Sequence, residues 1–330
     1  MKINQDRLIS LAAGFQYSRI LLTANELGIF RAISGGADTP GEIARSKKLD
    51  PEATRMLLGA LVGLGLVTHR AGRFKNAPDV QRYLAADSDD GMSCIFRHMN
   101  HMYESWGALD GIVKNGRPKH RPAPKVLSDK RYNRDFICGM FEIGLPTARM
   151  LARELDFTGV MKMADIGGGP AVYPVAFAER HGDVKFVVAD YPNTIAVARG
   201  YVKKYGLADR VRLVKCEFFD APELNIGKDY DMALLSQVLH AASDKKCAEL
   251  ISKTYRILRP GGRVVINENA LDKDGMGPPP PLIFAINMLV QNEGRTFTVD
   301  EVSAWLADAG FRKIKSRRLH ERSVIIEAVK

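Results

Sequence analysis

"MKMADIGGGPAVYPVAFAERHGDVKFVVAD" (residues 161–190) decides the fold. An apolar run over 161–166 enters three consecutive glycines, Gly167, Gly168 and Gly169. A helix-like stretch then closes at Gly182, and a second apolar run, 184–190, ends on Asp190. Strand, glycine turn, helix, strand at this spacing is a βαβ unit. The rhythm continues with a helix at "NTIAVARGYVKKYG" (193–206) and strands at "VRLVKCEFF" (211–219), "YDMALLSQVLH" (230–240) and "GGRVVINEN" (261–269). Between the last two, "DKKCAELISKTYRILRPGG" (244–262) reads as a helix. The tail pairs the helix "TVDEVSAWLADAGF" (298–311) with strands "RKIKSRRL" (312–319) and "SVIIEAVK" (323–330). Those last strands are too close in sequence for a crossover, so they are expected to be antiparallel. The fold class is α/β, a doubly wound, mostly parallel sheet with an antiparallel last strand.

The N-terminal part reads differently. In "DTPGEIA" (38–44) Thr39 is an N-cap, Pro40 opens a helix and Glu42 completes a capping box. In "LDPEATRMLLGALVGLGLV" (49–67) Asp50 caps and Pro51 starts a second helix, with Met56, Leu57, Leu61 and Leu64 on a helical period. "VTHRAGRFKN" (67–76) reads as a hairpin turning at Ala71-Gly72. Helix, helix, hairpin is a winged-helix arrangement in an otherwise helical domain. The second helix offers one basic residue, Arg55, whereas a base-reading helix needs several Arg, Lys, Asn or Gln side chains. Nucleic acid is therefore disfavoured, and the apolar helix is expected to be buried in a core or a partner subunit. Residues 85–155 are helical again, interrupted by "GRPKHRPAPK" (116–125), a basic, proline-containing loop read as a solvated connection. The expected divisions are 1–100, a winged-helix dimerisation domain, 101–157, a helical connector, and 158–330, the doubly wound domain.

Composition narrows the class. The chain has 330 residues, 46% apolar and 26% charged, as an ordinary globular protein does. Its net charge of +10 favours anionic partners without choosing among them. Cys94, Cys138, Cys216 and Cys247 show no CxxC and no metal-like spacing with histidine, so no metal site is expected and the cysteines are read as reduced thiols. Gln16 and Arg19 break the first apolar stretch, and no run reaches the ~18 residues of a membrane span. A cytoplasmic protein is expected.

In open α/β sheets the ligand sits beyond the carboxyl ends of the strands, at the switch in strand order. The glycine loop departs from a dinucleotide fingerprint: Val172 stands where the last glycine would be, and Pro170 removes a backbone donor. Asp165, just before the loop, repels phosphate and welcomes a cation. Asp190 ends the second strand, placed to accept from both ribose hydroxyls. A neutral-to-cationic nucleoside is the expected ligand, and S-adenosylmethionine fits.

The segments "ADIGGG", "VVADYPNTIAVAR", "CEFFD", "LLSQVLHAASDKKC" and "ILRPGGRVVINE" resemble, in order and spacing, the S-adenosylmethionine-dependent O-methyltransferases of the plant-type and acetylserotonin-type group. That family carries an N-terminal winged-helix dimerisation domain, so the resemblance covers nearly the whole chain and implies a homodimer. It implies that Gly167, Gly168 and Gly169 meet the methionine part of the cofactor, that Asp190 holds the ribose, that Glu217 meets the adenine, and that Phe218 and Ser236 share this site. His240 falls on the family's catalytic base and Glu268 on the carboxylate that assists it. Neighbouring strands ~4.8 Å apart would bring that pair to one crevice. Two departures stand out: Ala241-Ala242 follow His240 where the family has an acid and a tryptophan, and Thr296-Phe297-Thr298 stand where the family has a glutamate-arginine-threonine triplet, so that one supporting acid is either absent or replaced by Glu293.

The acceptor pocket is expected between the domains. Phe136, Met140, Phe284, Asn287, Met288 and Gln291 are its candidate walls from the C-terminal side. His98, His101, Met102 and Trp106 are candidates from the helices before them. Methionine and aromatic walls suit a flat apolar molecule. The implied activity is methylation of a hydroxyl on an aromatic, quinone-like or polyketide-like small molecule. The alternatives are methylation at carbon or nitrogen without a base and, in another class, a winged-helix regulator that senses a ligand.

Overall fold

The computed structural model describes residues 3–86, 88, 90–117 and 129–330. Two compact units divide it, Met1–Tyr103 and Glu104–Lys330.

In the first unit α1 (Gln5–Glu26), α2 (Ile29–Ser34), α3 (Pro40–Lys47) and α4 (Pro51–Gly63) precede a hairpin of β1 (Val67–Arg70) and β2 (Arg73–Asn76). The caps are those read from the sequence. Thr39 and Glu42 form a reciprocal capping box, and Asp50 accepts from the Ala53 N–H at 2.7 Å. Ala71 and Gly72 both take positive φ, the geometry a two-residue hairpin turn requires. This unit is thus not all helical, the wing being a true two-stranded sheet. Phe30, Ile43, Leu58 and Leu61 fill its core. Only one face of α4 is buried in it; Met56 points outward, and Arg55 is taken by Glu52 at 2.6 Å. Along α1, Leu8, Leu11 and Phe15 are also exposed.

The second unit is built on a seven-stranded sheet in the order β10-β11-β7-β6-β3-β4-β5. These are β3 (Lys162–Ile166), β4 (Lys185–Asp190), β5 (Val211–Lys215), β6 (Tyr230–Ser236), β7 (Leu258–Glu268), β10 (Arg312–His320) and β11 (Ser323–Val329). The five from β3 to β7 are parallel, while β11 is antiparallel to both β7 and β10. Two short strands, β8 (Ala270–Leu271) and β9 (Phe297–Thr298), pair separately. Side chains alternate between two apolar layers, as a parallel sheet covered on both faces demands. Met163, Phe186, Met232, Leu234 and Val265 belong to one layer; Ala164, Ile166, Ala233, Leu235 and Ile266 belong to the other. The chain leaves β3 towards β4 on one side and returns to β6 on the other, so the switch point lies between β3 and β6.

The helices of this unit are α5 (Ser93–Trp106, continuing from the first unit), α6 (Leu109–Asn115), α7 (Lys130–Glu154), α8 (Val172–Ala178), α9 (Pro192–Lys204), α10 (Asp244–Ile257), α11 (Pro279–Gln291) and α12 (Val299–Asp308). The basic loop lies outside the described residues beyond Arg117. No helix among the described residues is long and apolar enough to cross a membrane. Cys216 and Cys247 are free and buried.

Leu151 on α7 is fully buried in the layer that also holds Met163 and Leu234. Its truncation, Leu151→Ala, is expected to lower the unfolding free energy by about 2–5 kcal/mol in a urea titration.

Candidate active site

The glycine turn is shaped by close packing. Gly167 and Gly169 take positive φ, and a Cβ on Gly167 would sit 2.6 Å from Val238 Cγ2. A Cβ on Gly168 would press on the Asp165 carboxyl, whereas one on Gly169 would meet only open space. The turn is therefore fixed from below and open above. Asp190, at the end of β4, reaches across to it: Oδ2 accepts from the Gly169 N–H at 2.8 Å and Oδ1 from the Tyr191 N–H at 2.7 Å. The Thr194 side chain is a third hydrogen-bond partner of this carboxylate.

Asp165 is 1% exposed, and neither of its oxygens has a hydrogen-bond partner. Burial first, and then the nearby Asp190 carboxylate, push its pKa up to about 8. Burial likewise raises Asp190, to about 6, against the pull of the donors on it. Two acids held in a dry floor beneath an open glycine turn form a site short of positive charge and hydroxyl donors. A nucleoside bearing an ammonium and a sulfonium matches that deficit.

Beyond β5, Glu217 is exposed and Phe218 is buried beneath it, its ring 5.1 Å from that of Tyr191. Ser236 is differently engaged. Its hydroxyl donates to Tyr173 Oη at 2.6 Å and accepts from Asn267 Nδ2 at 2.8 Å, and Ser323 in turn donates to Asn267. Ser236 belongs to a buried polar network under the sheet's carboxyl edge rather than to an open wall. Tyr173, at the start of α8, and Asn267, near the end of β7, neither singled out by the sequence reading, complete that network.

His240 lies in a short 3-10 turn, Leu239–Ala241, that follows β6. Its Nδ1 is 2.8 Å from Glu268 Oε2, at the end of the neighbouring β7. The other oxygen, Oε1, accepts from the Val238 and Leu239 N–H groups, each at 2.7 Å. A carboxylate only accepts, so Nδ1 carries the hydrogen and Nε2 keeps its lone pair. The imidazole is 12% exposed and meets the Phe284 ring edge-on, centroids 4.8 Å apart.

Phe284, Asn287 and Gln291 share one face of α11 at helical spacing. Trp106 donates from Nε1 to Asn287 Oδ1 at 3.1 Å, joining that face. Met288, one turn on from Phe284, is buried, with Asn292 on its sulfur at 3.2 Å. Phe136 and Met140 lie one turn apart on α7, both half-buried. His98, buried, and Met102 belong to the first unit. Glu293 is not beside the histidine: its carboxylate is exposed and paired with Lys246 at 3.2 Å. Arg117, from the basic loop, donates to the backbone carbonyls of Glu293 and Gly294 at 2.7 and 2.6 Å. Gly294 itself admits no side chain, since any Cβ would collide with the His240 carbonyl.

The parallel sheet, its switch-point glycine turn and the acid at the end of the next strand define a class I S-adenosylmethionine-dependent methyltransferase. Comparison with known proteins narrows this. Residues 121–312 match the model of the O-methyltransferase domain, and residues 9–86 that of the O-methyltransferase dimerisation domain. The chain belongs to the O-methyltransferase family and takes S-adenosylmethionine as its cofactor. It is 31% identical to acetylserotonin O-methyltransferase of Mus musculus molossinus over 332 residues, covering 94% of this chain and 84% of that one. It is 29% identical to 3-hydroxy-5-methyl-1-naphthoate 3-O-methyltransferase of Streptomyces sahachiroi, covering 94% and 90%. Human N-acetylserotonin methyltransferase, crystallised with S-adenosylmethionine, superposes with a TM-score of 0.87 at 25% identity, over 100% of this chain and 99% of that one. The mitomycin 7-O-methyltransferase MmcR shares the fold, with a TM-score of 0.86 at 20% identity over 99% and 97%.

The raised acids make stability pH-dependent. An acid with a folded pKa above its unfolded value favours the fold at low pH and loses that contribution as pH climbs towards the folded value. For Asp165 the window runs from about 4 to about 8. Chemical denaturation of the ligand-free protein is expected to show Asp165→Asn gaining on the parent across that window, by roughly 1 kcal/mol per pH unit. A constant difference would mean the carboxyl stays ionised in the fold.

Proposed function

We propose that this enzyme methylates a hydroxyl on a flat aromatic or polyketide-like acceptor, with His240 as general base and Glu268 as its positioning partner. The His240–Glu268 pair carries the reading. Glu268 fixes the tautomer through Nδ1 and leaves Nε2 of the neutral ring as the proton acceptor. Phe284, Asn287, Gln291 and Trp106 offer an apolar face with a few polar atoms, suited to orienting a ring bearing one reactive oxygen. The naphthoate and acetylserotonin enzymes among its relatives are named for aromatic acceptors, which supports that substrate class. Gly167, Gly168 and Gly169 would hold the methionine part of the cofactor above Asp165. Asp190 would hold the ribose, and Glu217 and Phe218 the adenine. When bound, the cofactor supplies an activated methyl on a sulfonium, itself an excellent leaving group. What remains for the protein is alignment and removal of one proton.

Isothermal calorimetry with S-adenosylmethionine and a mass-spectrometric screen of hydroxylated naphthoates and indoles test the whole reading. On the acceptor that turns over, His240→Ala is expected to lower kcat by about 10²–10⁴ while cofactor affinity stays unchanged. Unaltered turnover would remove the base and favour methylation at carbon or nitrogen.

The exposed apolar residues of α1 support assembly as a homodimer through the first unit. Light scattering is expected to give a dimer for the parent chain and a monomer for the double variant Leu11→Glu, Phe15→Glu.

A further inference from the structure

Lys253 lies on α10, outside the His240–Glu268 pair, and is only 4% exposed. A lysine this buried must spend its ammonium on acceptors or lose its charge. Nζ donates to three backbone carbonyls, those of Phe218 at 2.9 Å, Phe219 at 3.1 Å and Ala221 at 2.6 Å. All three ammonium hydrogens are thereby used, and all three acceptors belong to one loop, the turn that follows β5. Burial lowers the lysine's pKa, so the three carbonyls hold the charge in place against that cost.

We infer that Lys253 is the positioning residue of the cofactor site: it pins the loop over 217–221 and so sets the affinity for the adenosine half of the cofactor. Helical ladders and strand pairing do not hold this loop. Beside the packing of Phe218 in the core, its remaining hydrogen bonds and ion pairs among the described residues are the Asp220 and Ala221 N–H groups donating to the Glu217 carbonyl, at 2.9 and 2.8 Å, and the Lys246 ammonium 3.0 Å from the Asp220 carboxylate. Those first two bonds close the turn on itself and anchor it to nothing else. Lys253 anchors it to α10. Phe218 is part of the pinned segment and packs against the glycine turn: a Cβ on Gly167 would lie 3.3 Å from Phe218 Cζ. Tyr191 and Phe219 flank the ring, with centroids 5.1 and 4.8 Å away. Releasing the carbonyls would let Phe218 and the exposed Glu217 leave their places, while the His240–Glu268 bond, between the turn after β6 and the end of β7, shares no residue with the pinned loop.

The inference rests on the reading of this loop as the adenine wall, and calorimetry separates the two. Lys253→Met is expected to raise the Kd for S-adenosylhomocysteine at least tenfold, and that for 5′-methylthioadenosine, which lacks the amino-acid part, by the same factor. Lys253→Arg, which keeps charge and donors, is expected to stay within threefold of the parent. Should Lys253→Met not fold, Lys253→Gln carries the test with an expected rise of at least fivefold. Binding within twofold of the parent by the folded variant overturns the role of Lys253 if Glu217→Ala, measured alongside, does weaken both ligands. If Glu217→Ala also leaves both unchanged, the adenine reading falls and the inference with it. A loss for S-adenosylhomocysteine that spares 5′-methylthioadenosine overturns it too.

Discussion

The Glu268 carboxylate is the constraint on which the site depends. It is 4% exposed, ends a central strand and accepts three donors: the Val238 and Leu239 N–H groups and the ring of His240. Two of those bonds hold the backbone that leaves β6, and the third orients the imidazole. One side chain thereby sets both where the histidine is and which nitrogen it presents. Charge-assisted bonds of this kind in a dry setting are strong, and losing the acceptor would leave two buried N–H groups without partners. The sheet supplies the precondition: β6 and β7 are parallel neighbours with Ser236 opposite Asn267, which brings the next residues of each strand together.

The same carboxyl edge bears a second tension, at Asp165 and Asp190. Burying acids without counter-charge is unfavourable, and the raised pKa values are the measure of that cost. A fold keeps such groups where a ligand later satisfies them. Ser236, Tyr173 and Asn267 show the contrasting solution a few residues away, a polar cluster satisfied by its own members and so of no direct use to a ligand.

Much of this was legible in the sequence because it is local or periodic. The caps at Thr39 and Asp50, the Ala71-Gly72 turn, the strand rhythm and the antiparallel end each follow from residues close in the chain. The Glu268–His240 pair was legible because adjacent parallel strands force their ends together. What escaped depends on which side chains meet across long separations. Nothing in "KKCAELISKTY" marks Lys253 as buried, since its partners are carbonyls that every residue carries. The diversion of the Ser236 hydroxyl into a buried network escaped in the same way. Glu293, adjacent to the turn behind His240, turned instead to Lys246 on α10.

That last point bears on how a histidine without its family's following acid can still be held. Ala241 and Ala242 bring no side-chain acceptor, but the turn does not lack anchors. The Ala242 N–H donates to the Leu239 carbonyl, the Cys247 thiol on α10 reaches the same carbonyl at 3.0 Å, and Gly294 packs directly on the His240 backbone. Arg117 fixes the carbonyls of Glu293 and Gly294 behind it. The loop is thus secured through its backbone, and the single acid Glu268 is left to govern the ring. The sulfonium leaving group needs no proton, so in the proposed reaction the imidazole would have one task, accepting the hydrogen of the attacking hydroxyl.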